Sequence, residues 1–427
     1  MSTTFALIDC NNFFVSCERL FRPDLATRPV VVLSSNDGCV IARSNEAKAL
    51  DIPMGAPVFK YRQIFRDNAV VIFSANFELY GDISTRIARL LTRVTPQIEI
   101  YSVDESFLDL SQLNIPDYGS WGRQISQRVL SEVGIPVSIG IAASKTLAKL
   151  ASERAKRDPR LAGALDLTTT PVEQRQRIFQ DIPIQDVWGI GWRLAPKLKA
   201  VGIQTALQLS QMSPQLAKQL VGIHGRQLVS ELNGLSCYPL EPTHKPRQSI
   251  MRGRTFGEDT TDPLVIEAAI ASLTARACLQ LRRANLLAGN VVVSLSTNRH
   301  KPGYNHQSSY VTLPMPGADT GLITAELQRH VAGMFNPRAA YHRANVLFYN
   351  LISPATLQTD LFGTLSVADS DHSQRRLQAF DAINQRHGAG IIRYAAEDLS
   401  RAWQPKHDLR SPRYTTNWQE LPTAQVS

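Results

Sequence analysis

A chain of 427 residues is too long for one compact core, so the sequence predicts two to four domains; its 43% hydrophobic and 19% charged residues are ordinary for a soluble globular protein. Lys and Arg number 46 against 37 Asp and Glu, giving net +9 and a pI near 9.4, which points to a polyanionic partner. The five cysteines (Cys10, Cys17, Cys39, Cys237, Cys278) show neither C-x-x-C pairing nor a disulfide framework, which argues against a zinc site or a secreted scaffold. The N-terminus reaches Asp9 before a signal-peptide apolar region could form, and no apolar run approaches about 20 residues. The expectation is a soluble cytoplasmic protein with no membrane partner.

In chain order, Thr4 to Ile8 is a short apolar strand ending at Asp9, after which Asn11-Asn12 can cap a helix from Phe13 to about Leu20. A carboxylate at the C-terminal end of a strand, just before a helix, is a favoured place for chemistry in mixed α/β domains. Pro29 to Ser34 reads as a buried strand, Asn36-Asp37-Gly38 as a turn, and Ser44 to Leu50 as part of a helix; Pro53, Gly55 and Pro57 then break the chain. Residues 21–75 thus look like a small unit inserted into a larger one. Tyr80 to Val94 is an amphipathic helix with Ile83, Ile87, Leu90, Leu91 and Val94 on one face.

Ile98 to Leu110 (IEIYSVDESFLDL) reads as a hairpin with Asp104 and Glu105 at its bend. Strand alternation aims neighbouring side chains at opposite faces, so both carboxylates serve one site only if the backbone bends there. A solvated acidic turn is the plain alternative, and Glu258-Asp259 and Glu397-Asp398 are further acidic pairs. A helix from about Tyr118 to Val133, a strand from Val137 to Ala142, and a helix beginning near Ser144 with Lys145, Lys149, Arg154, Lys156 and Arg157 follow. This order predicts an α+β sheet with helices on one face.

Thr168 to Pro171 is a linker. Beyond it, V-W-G-I-G-W-R at 187–193 runs into basic Lys197 and Lys199, the helix-hairpin-helix pattern in which Gly189 and Gly191 let backbone N–H groups approach a phosphate. A plain αα-hairpin needing glycine only to turn is the alternative, and 221–225 is a weaker second hairpin. Residues 237–247 form a Pro-containing linker. Strands at 249–256, 290–297, 310–313 and 344–351, with helices near 263–284 and 320–335, give a βαββαβ domain. Arg252 and Arg254 alternate on its first strand and, with Arg299, His300 and Lys301, suggest a basic sheet face or rim tracking a nucleic-acid backbone. The remainder, 353–427, has one helix near Ser373 to Arg386 and contains Gln358, Leu361 and Phe362 in a short Q-x-x-L-F motif.

Asp9, Asp104 and Glu105 form an oxygen-only set without His or Cys, which suits Mg²⁺. Two Mg²⁺ about 3.5–4 Å apart can clamp the attacking and leaving oxygens of a phosphoryl displacement. Lys48 and Lys156 are candidate clamps on the phosphates.

D-x-N-x-F-F at Asp9 to Phe14, followed by Glu18, Phe21, Arg22, Pro23 and Asp24, resembles the first motif of the Y-family translesion DNA polymerases; S-V-D-E-S at 102–106 resembles the second, and S-K-T-L-A-K-L-A at 144–151 with Lys156 the third. NDGCVIARSNEAKAL at 36–50, NFELYGD at 76–82, VWGIG at 187–191 and SPRYTT at 411–416 narrow the resemblance to the UmuC type. The resemblance implies a right-hand polymerase. Its palm would be 1–20 and 76–168, fingers 21–75, thumb 169–236, linker 237–247, little finger 248–352, and a partner-binding tail 353–427. It implies two Mg²⁺ held by Asp9, Asp104, Glu105 and the Cys10 carbonyl. The incoming dNTP would be bound by Lys48, Lys156 and the backbone around Asn12 and Phe13. Asn45 stands where many relatives carry an aromatic residue.

The resemblance also makes Phe14 the residue that excludes a ribose 2′-OH. Ile41 and Ala42 would be small residues over the nascent base pair. DNA would be bound through Gly189, Gly191, Arg193, Lys197, Arg252 and Arg254. The implied reaction is error-prone, template-directed primer extension across damaged DNA in the SOS response, without a proofreading exonuclease. The implied partners are primer-template DNA, a processed UmuD-type dimer, a RecA filament and, through Gln358, Leu361 and Phe362, a sliding clamp. A DNA-binding scaffold with a decayed site, or a different two-metal enzyme, would share parts of this pattern.

Overall fold

The computed structural model describes residues 3–241, 246–357, 367–388, 390–397, 403 and 406–423. The chain divides into two compact units: residues 1–34, 38–244 and 408–427 form the first, and 35–37 with 245–407 form the second. The tail expected as one segment is thus shared between the two.

Unit 1 begins with β1 (Phe5–Cys10) and α1 (Phe13–Leu20). Asn12 sits at the N-cap of α1 but in the left-handed region (φ 47°), and its side chain makes no cap hydrogen bond. It is drawn instead toward Asn45 and Lys48, which corrects its expected capping role. Next come β2 (Val30–Leu33), β3 (Val40–Arg43), α2 (Asn45–Ala49), α3 (Val58–Asp67) and β4 (Val71–Ser74). They build a three-stranded sheet ordered β3-β2-β4, with β2 antiparallel to β3 and parallel to β4. Val31, Leu33, Val40, Ala47, Ile52 and Phe65 form its own small core. The strands β3 and β4 and the helix α3, not anticipated from the sequence, lie within the 21–75 stretch expected as an inserted unit.

After α4 (Phe77–Thr92), the strands β5 (Ile98–Ile100) and β6 (Glu105–Asp109) make the expected hairpin. Then follow α5 (Tyr118–Val133), β7 (Val137–Ala142), α6 (Lys145–Arg157) and β8 (Ala164–Asp166). Asp117 caps α5 by accepting from the Gly119 and Ser120 amides, and Gly134 ends it in the left-handed region. The main sheet is ordered β5-β6-β1-β7-β8, with β1 antiparallel to both β6 and β7.

Helices cover both faces of that sheet, not one as expected. The apolar run of β1 is the reason: Ala6 and Ile8 pack with residues of α4 and α5, whereas Phe5 and Leu7 pack with Leu147, Ala148 and Ala151 of α6. Close approach of α6 requires Gly140, where an added Cβ would lie 2.0 Å from the Ala148 carbonyl oxygen and 2.2 Å from the Ser152 nitrogen.

The helices α7 (Val172–Gln180), α8 (Ala195–Ala200), α9 (Ala206–Ser210), α10 (Pro214–Val221) and α11 (Ile223–Leu232) complete the globular part of this unit. Fully buried Glu231 of α11 ties them to α6: its Oε2 accepts from the Thr146 amide at 2.9 Å, at the positive end of that helix.

Unit 2 contains β9 (Ser249–Thr260), α12 (Pro263–Arg283), β10 (Leu287–Thr297), β11 (His306–Gly317), α13 (Thr320–Met334), β12 (Tyr341–Ile352) and α14 (Val367–His387). The first six are the expected βαββαβ arrangement, with sheet order β11-β10-β12-β9. By length and composition α12 could cross a membrane, but here it is a core helix burying Ile266, Ile270, Leu273 and Leu281.

Candidate active site

The antiparallel register of β1 and β6 sets Asp9 directly opposite Glu105. The adjacent Cys10 amide donates to the Asp104 carbonyl at 2.9 Å, which fixes the bend at the end of the ladder. Ser102 closes that bend: its hydroxyl donates to Asp104 Oδ1 and accepts from the Glu105 amide at 3.0 Å. Residues far apart along the chain therefore meet at one end of two neighbouring strands.

Two lysines of α6 face this end. Lys156 Nζ donates to Asp9 Oδ1 at 2.8 Å, and Lys149 Nζ donates to both Glu105 oxygens at 2.7 and 2.8 Å. Seven residues span about two helical turns, so 149 and 156 share a face. Lys149 was missed as a site residue, and that spacing was the signal that could have found it. Its ammonium also lies 5.3 Å from the Tyr101 ring centre and 5.8 Å from that of Trp188.

Burial raises the Asp9 pKa to about 6; the Lys156 charge opposes this, and Glu105 and Asp104 add repulsion. Burial opposes the charged form of Lys156, but the charge and hydrogen bond of Asp9 outweigh it and hold its pKa above the ordinary value. Cys10 is buried, and desolvation pushes its thiol up; the oxygen it offers is its backbone carbonyl.

Among the described residues no three His, Cys, Asp or Glu groups are arranged to hold a metal ion as they stand. Asp9 and Glu105 each turn toward a lysine. The donors nevertheless fit a hard divalent cation in kind, being all oxygen, and added positive charge would relieve the burial of Asp9 and its repulsion by Glu105 and Asp104.

Lys48 donates to Asn12 Oδ1 at 2.6 Å, and Asn12 donates to Asn45 Oδ1 at 3.0 Å. Burial lowers the Lys48 pKa, and the nearby charges of Lys156 and Arg43 lower it further. The sequence-predicted phosphate-binding cations are thus neighbours. Phe13 is core, 3% exposed, whereas Phe14 is half-buried and stacks on Tyr80 with ring centres 4.5 Å apart and planes at 14°. Ile41 and Ala42 lie on β3, Ile41 half-buried and Ala42 buried.

Gly189, Gly191 and Arg193 lie in the turn region before α8, and Lys197 lies within that helix. Gly189 has φ +83°, and a Cβ on Gly191 would meet nothing within 4 Å. Arg193 and Lys197 are exposed, and the Arg193 guanidinium lies 4.8 Å from the ring centre of exposed Trp192. Arg252 and Arg254 do not lie on an open basic face. They share the helix-covered side of β9 with buried Ile250 and Phe256, Arg252 opposite Val346 and Arg254 opposite Ala344, and Arg252 donates to Gln280 of α12. Lys301 pairs with Asp259 at 2.7 Å. Gln358, Leu361 and Phe362 lie outside the described residues.

The chain matches the impB/mucB/samB family over residues 8–153, the C-terminal domain of that family over 247–361, and its helix-hairpin-helix motif over 173–203; a domain of unknown function matches 374–424. It is 38% identical to Protein UmuC of Salmonella typhimurium, over 98% of this chain and 99% of that protein. It is 36% identical to Protein ImpB of Salmonella typhimurium, over 99% and 100%. Among solved structures, a Y-family DNA polymerase chimera superposes with a TM-score of 0.66 at 24% identity, covering 82% of this chain and 99% of that one. The insertion ternary complex of Dbh DNA polymerase gives 0.55 at 22% identity, with the same coverage. Sequence likeness along almost the whole chain places the protein in the impB/mucB/samB family, alongside Protein UmuC, with the fold of the Y-family DNA polymerases.

Proposed function

We propose that the chain performs template-directed primer extension across damaged DNA as part of an SOS-type response, with two Mg²⁺ and without a proofreading exonuclease. The observation that carries this reading is the Asp9–Glu105 register, which sets Asp9, Asp104 and Glu105 at one strand end. Asp9, Asp104, Glu105 and the Cys10 carbonyl are the groups that would hold the metals. Bound there, the pair would activate the primer 3′-oxygen and neutralise charge on the leaving pyrophosphate.

The remaining work falls to the protein. Lys156 and Lys48 would fix the triphosphate; burial, and after it the charges of Lys156 and Arg43, depress the Lys48 pKa, and phosphate oxygens near it would offset both. Phe14, backed by Tyr80, presents a flat ring where a sugar would lie, and a 2′-hydroxyl would meet it. Gly189, Gly191, Arg193 and Lys197 would grip the DNA backbone without reading bases. Arg252 and Arg254, on the edge strand β9, could reach DNA only around its rim. Most of the rate enhancement would come from positioning and electrostatics. A processed UmuD-type dimer, a RecA filament and a sliding clamp complete the reading as partners, the clamp through Gln358, Leu361 and Phe362; the protein would act in the bacterial cytoplasm.

Primer extension opposite an abasic template site, with Mg²⁺ and with or without those partners, tests the reading. Insertion of dNTPs without shortening of a mispaired primer is expected. Primer degradation, or no insertion under any of these conditions, would overturn it.

A further inference from the structure

The C-terminal stretch matched only to a domain of unknown function ends in a strap folded onto unit 1. β4 is an edge of the three-stranded sheet, and the strap covers that edge. The Ser74 amide donates to the Leu409 carbonyl at 3.0 Å, the Leu409 amide donates to Ser74 Oγ at 3.0 Å, and Ser74 and Arg410 form a parallel bridge. Asn76, 1% exposed, donates to the Ser411 and Pro412 carbonyls, each at 3.1 Å. Tyr414 then stacks on Phe21 with ring centres 4.4 Å apart.

The strap delivers one hydroxyl to an interior carboxylate. Ser411 Oγ donates to Glu18 Oε1 at 3.1 Å, and the same oxygen accepts from Tyr80 at 2.6 Å. Glu18 is 1% exposed, and among the described residues its Oε2 has no hydrogen-bond partner. A buried carboxylate with so few donors depends heavily on each of them. Tyr80 in turn is the ring against which Phe14 stacks.

We propose that Ser411 is a positioning residue for sugar selection: the strap fixes Glu18, Glu18 fixes the Tyr80 hydroxyl, and Tyr80 holds Phe14 in the orientation that excludes a 2′-hydroxyl. This rests on reading Phe14 as the sugar-excluding residue. It gives the far C-terminal segment a role in substrate choice made inside the polymerase unit. The relay needs no motion; it limits how far the Phe14 ring can tilt.

The test compares kcat/KM for a ribonucleotide and the matching deoxyribonucleotide in the full-length chain carrying Ser411→Ala, Ser411→Thr, Tyr80→Phe or Phe14→Ala. Ser411→Ala and Tyr80→Phe should each raise the ribonucleotide to deoxyribonucleotide ratio by roughly 3- to 10-fold, the scale of one lost hydrogen bond to a buried carboxylate. Ser411→Thr, which keeps the hydroxyl, should restore the wild-type ratio, and Phe14→Ala should raise it furthest. If Phe14→Ala raises the ratio while Ser411→Ala and Tyr80→Phe leave it unchanged, or lower both substrates equally, the relay is refuted and the Phe14 reading stands. If Phe14→Ala itself leaves the ratio unchanged, both fall.

Discussion

Lys149 holds Glu105 through both carboxylate oxygens at 2.7 and 2.8 Å, on the same helix face from which Lys156 holds Asp9. Glu105 and Asp9 are thus each paired with a lysine of α6. Lys149→Met removes one of these lysines from a pair whose side chains are 27% and 13% exposed, at an expected cost of about 2 kcal/mol. In chelator the variant should melt below wild type, and Mg²⁺ should raise its Tm by more than it raises that of wild type. Equal Mg²⁺-induced shifts in thermal unfolding would contradict this.

The approach of α6 to β7 leaves no room at Gly140, where the obstructing atoms are backbone. Gly140→Ala should therefore cost about 3 kcal/mol or more, and should disturb Lys149 and Lys156 together by lifting the helix. Denaturant unfolding reads the stability loss. A neutral effect would mean that α6 does not pack as described.

Glu18 gives a pH dependence with a definite sign. Burial raises its pKa above the ordinary 4.5, against the opposing hydrogen bonds of Tyr80 and Ser411. The folded protein keeps the Glu18 proton at pH values where the unfolded chain has released it. Glu18's stabilising contribution is therefore full below about 4.5 and declines as pH rises through the folded value. Glu18→Gln should gain Tm relative to wild type as pH rises from 4.5 to 8. A difference that stays constant across that range would contradict the assignment.

Lys197 is exposed on α8, the helix that follows the Gly189–Gly191 turn. Lys197→Ala should weaken binding to primer-template DNA by roughly 3- to 10-fold irrespective of sequence, and should flatten the salt dependence by about 0.9 in log–log slope. Fluorescence anisotropy over a salt series measures both. An unchanged slope would remove Lys197 from the backbone contacts.

Much of this architecture was legible in the sequence because periodicity and capping agree there. Tyr118–Val133 has Asp117 before it and Gly134 after it, and the βαββαβ order follows from alternating apolar strands. Between Gly38 and Pro57 the turn-forming residues obscured β3, and α3, which buries only Phe65, gave little apolar signal. Period-2 alternation linked Arg252 with Arg254 but could not say which face the helices cover; the burial of Ile250 and Phe256 decides it. The strap was hidden for another reason: Leu409 meets Ser74 through its own backbone N–H and carbonyl, so its side chain carries no pattern to read. The carboxylate cluster could be anticipated from motif order, whereas the lysine pairings depend on the face that α6 presents.

The most direct test of the central claim is single-turnover dNTP insertion by Asp104→Ala in saturating Mg²⁺, with primer-template binding measured in parallel. The account predicts insertion slower by roughly 10³-fold or more with DNA affinity retained. Wild-type insertion by that variant would contradict it.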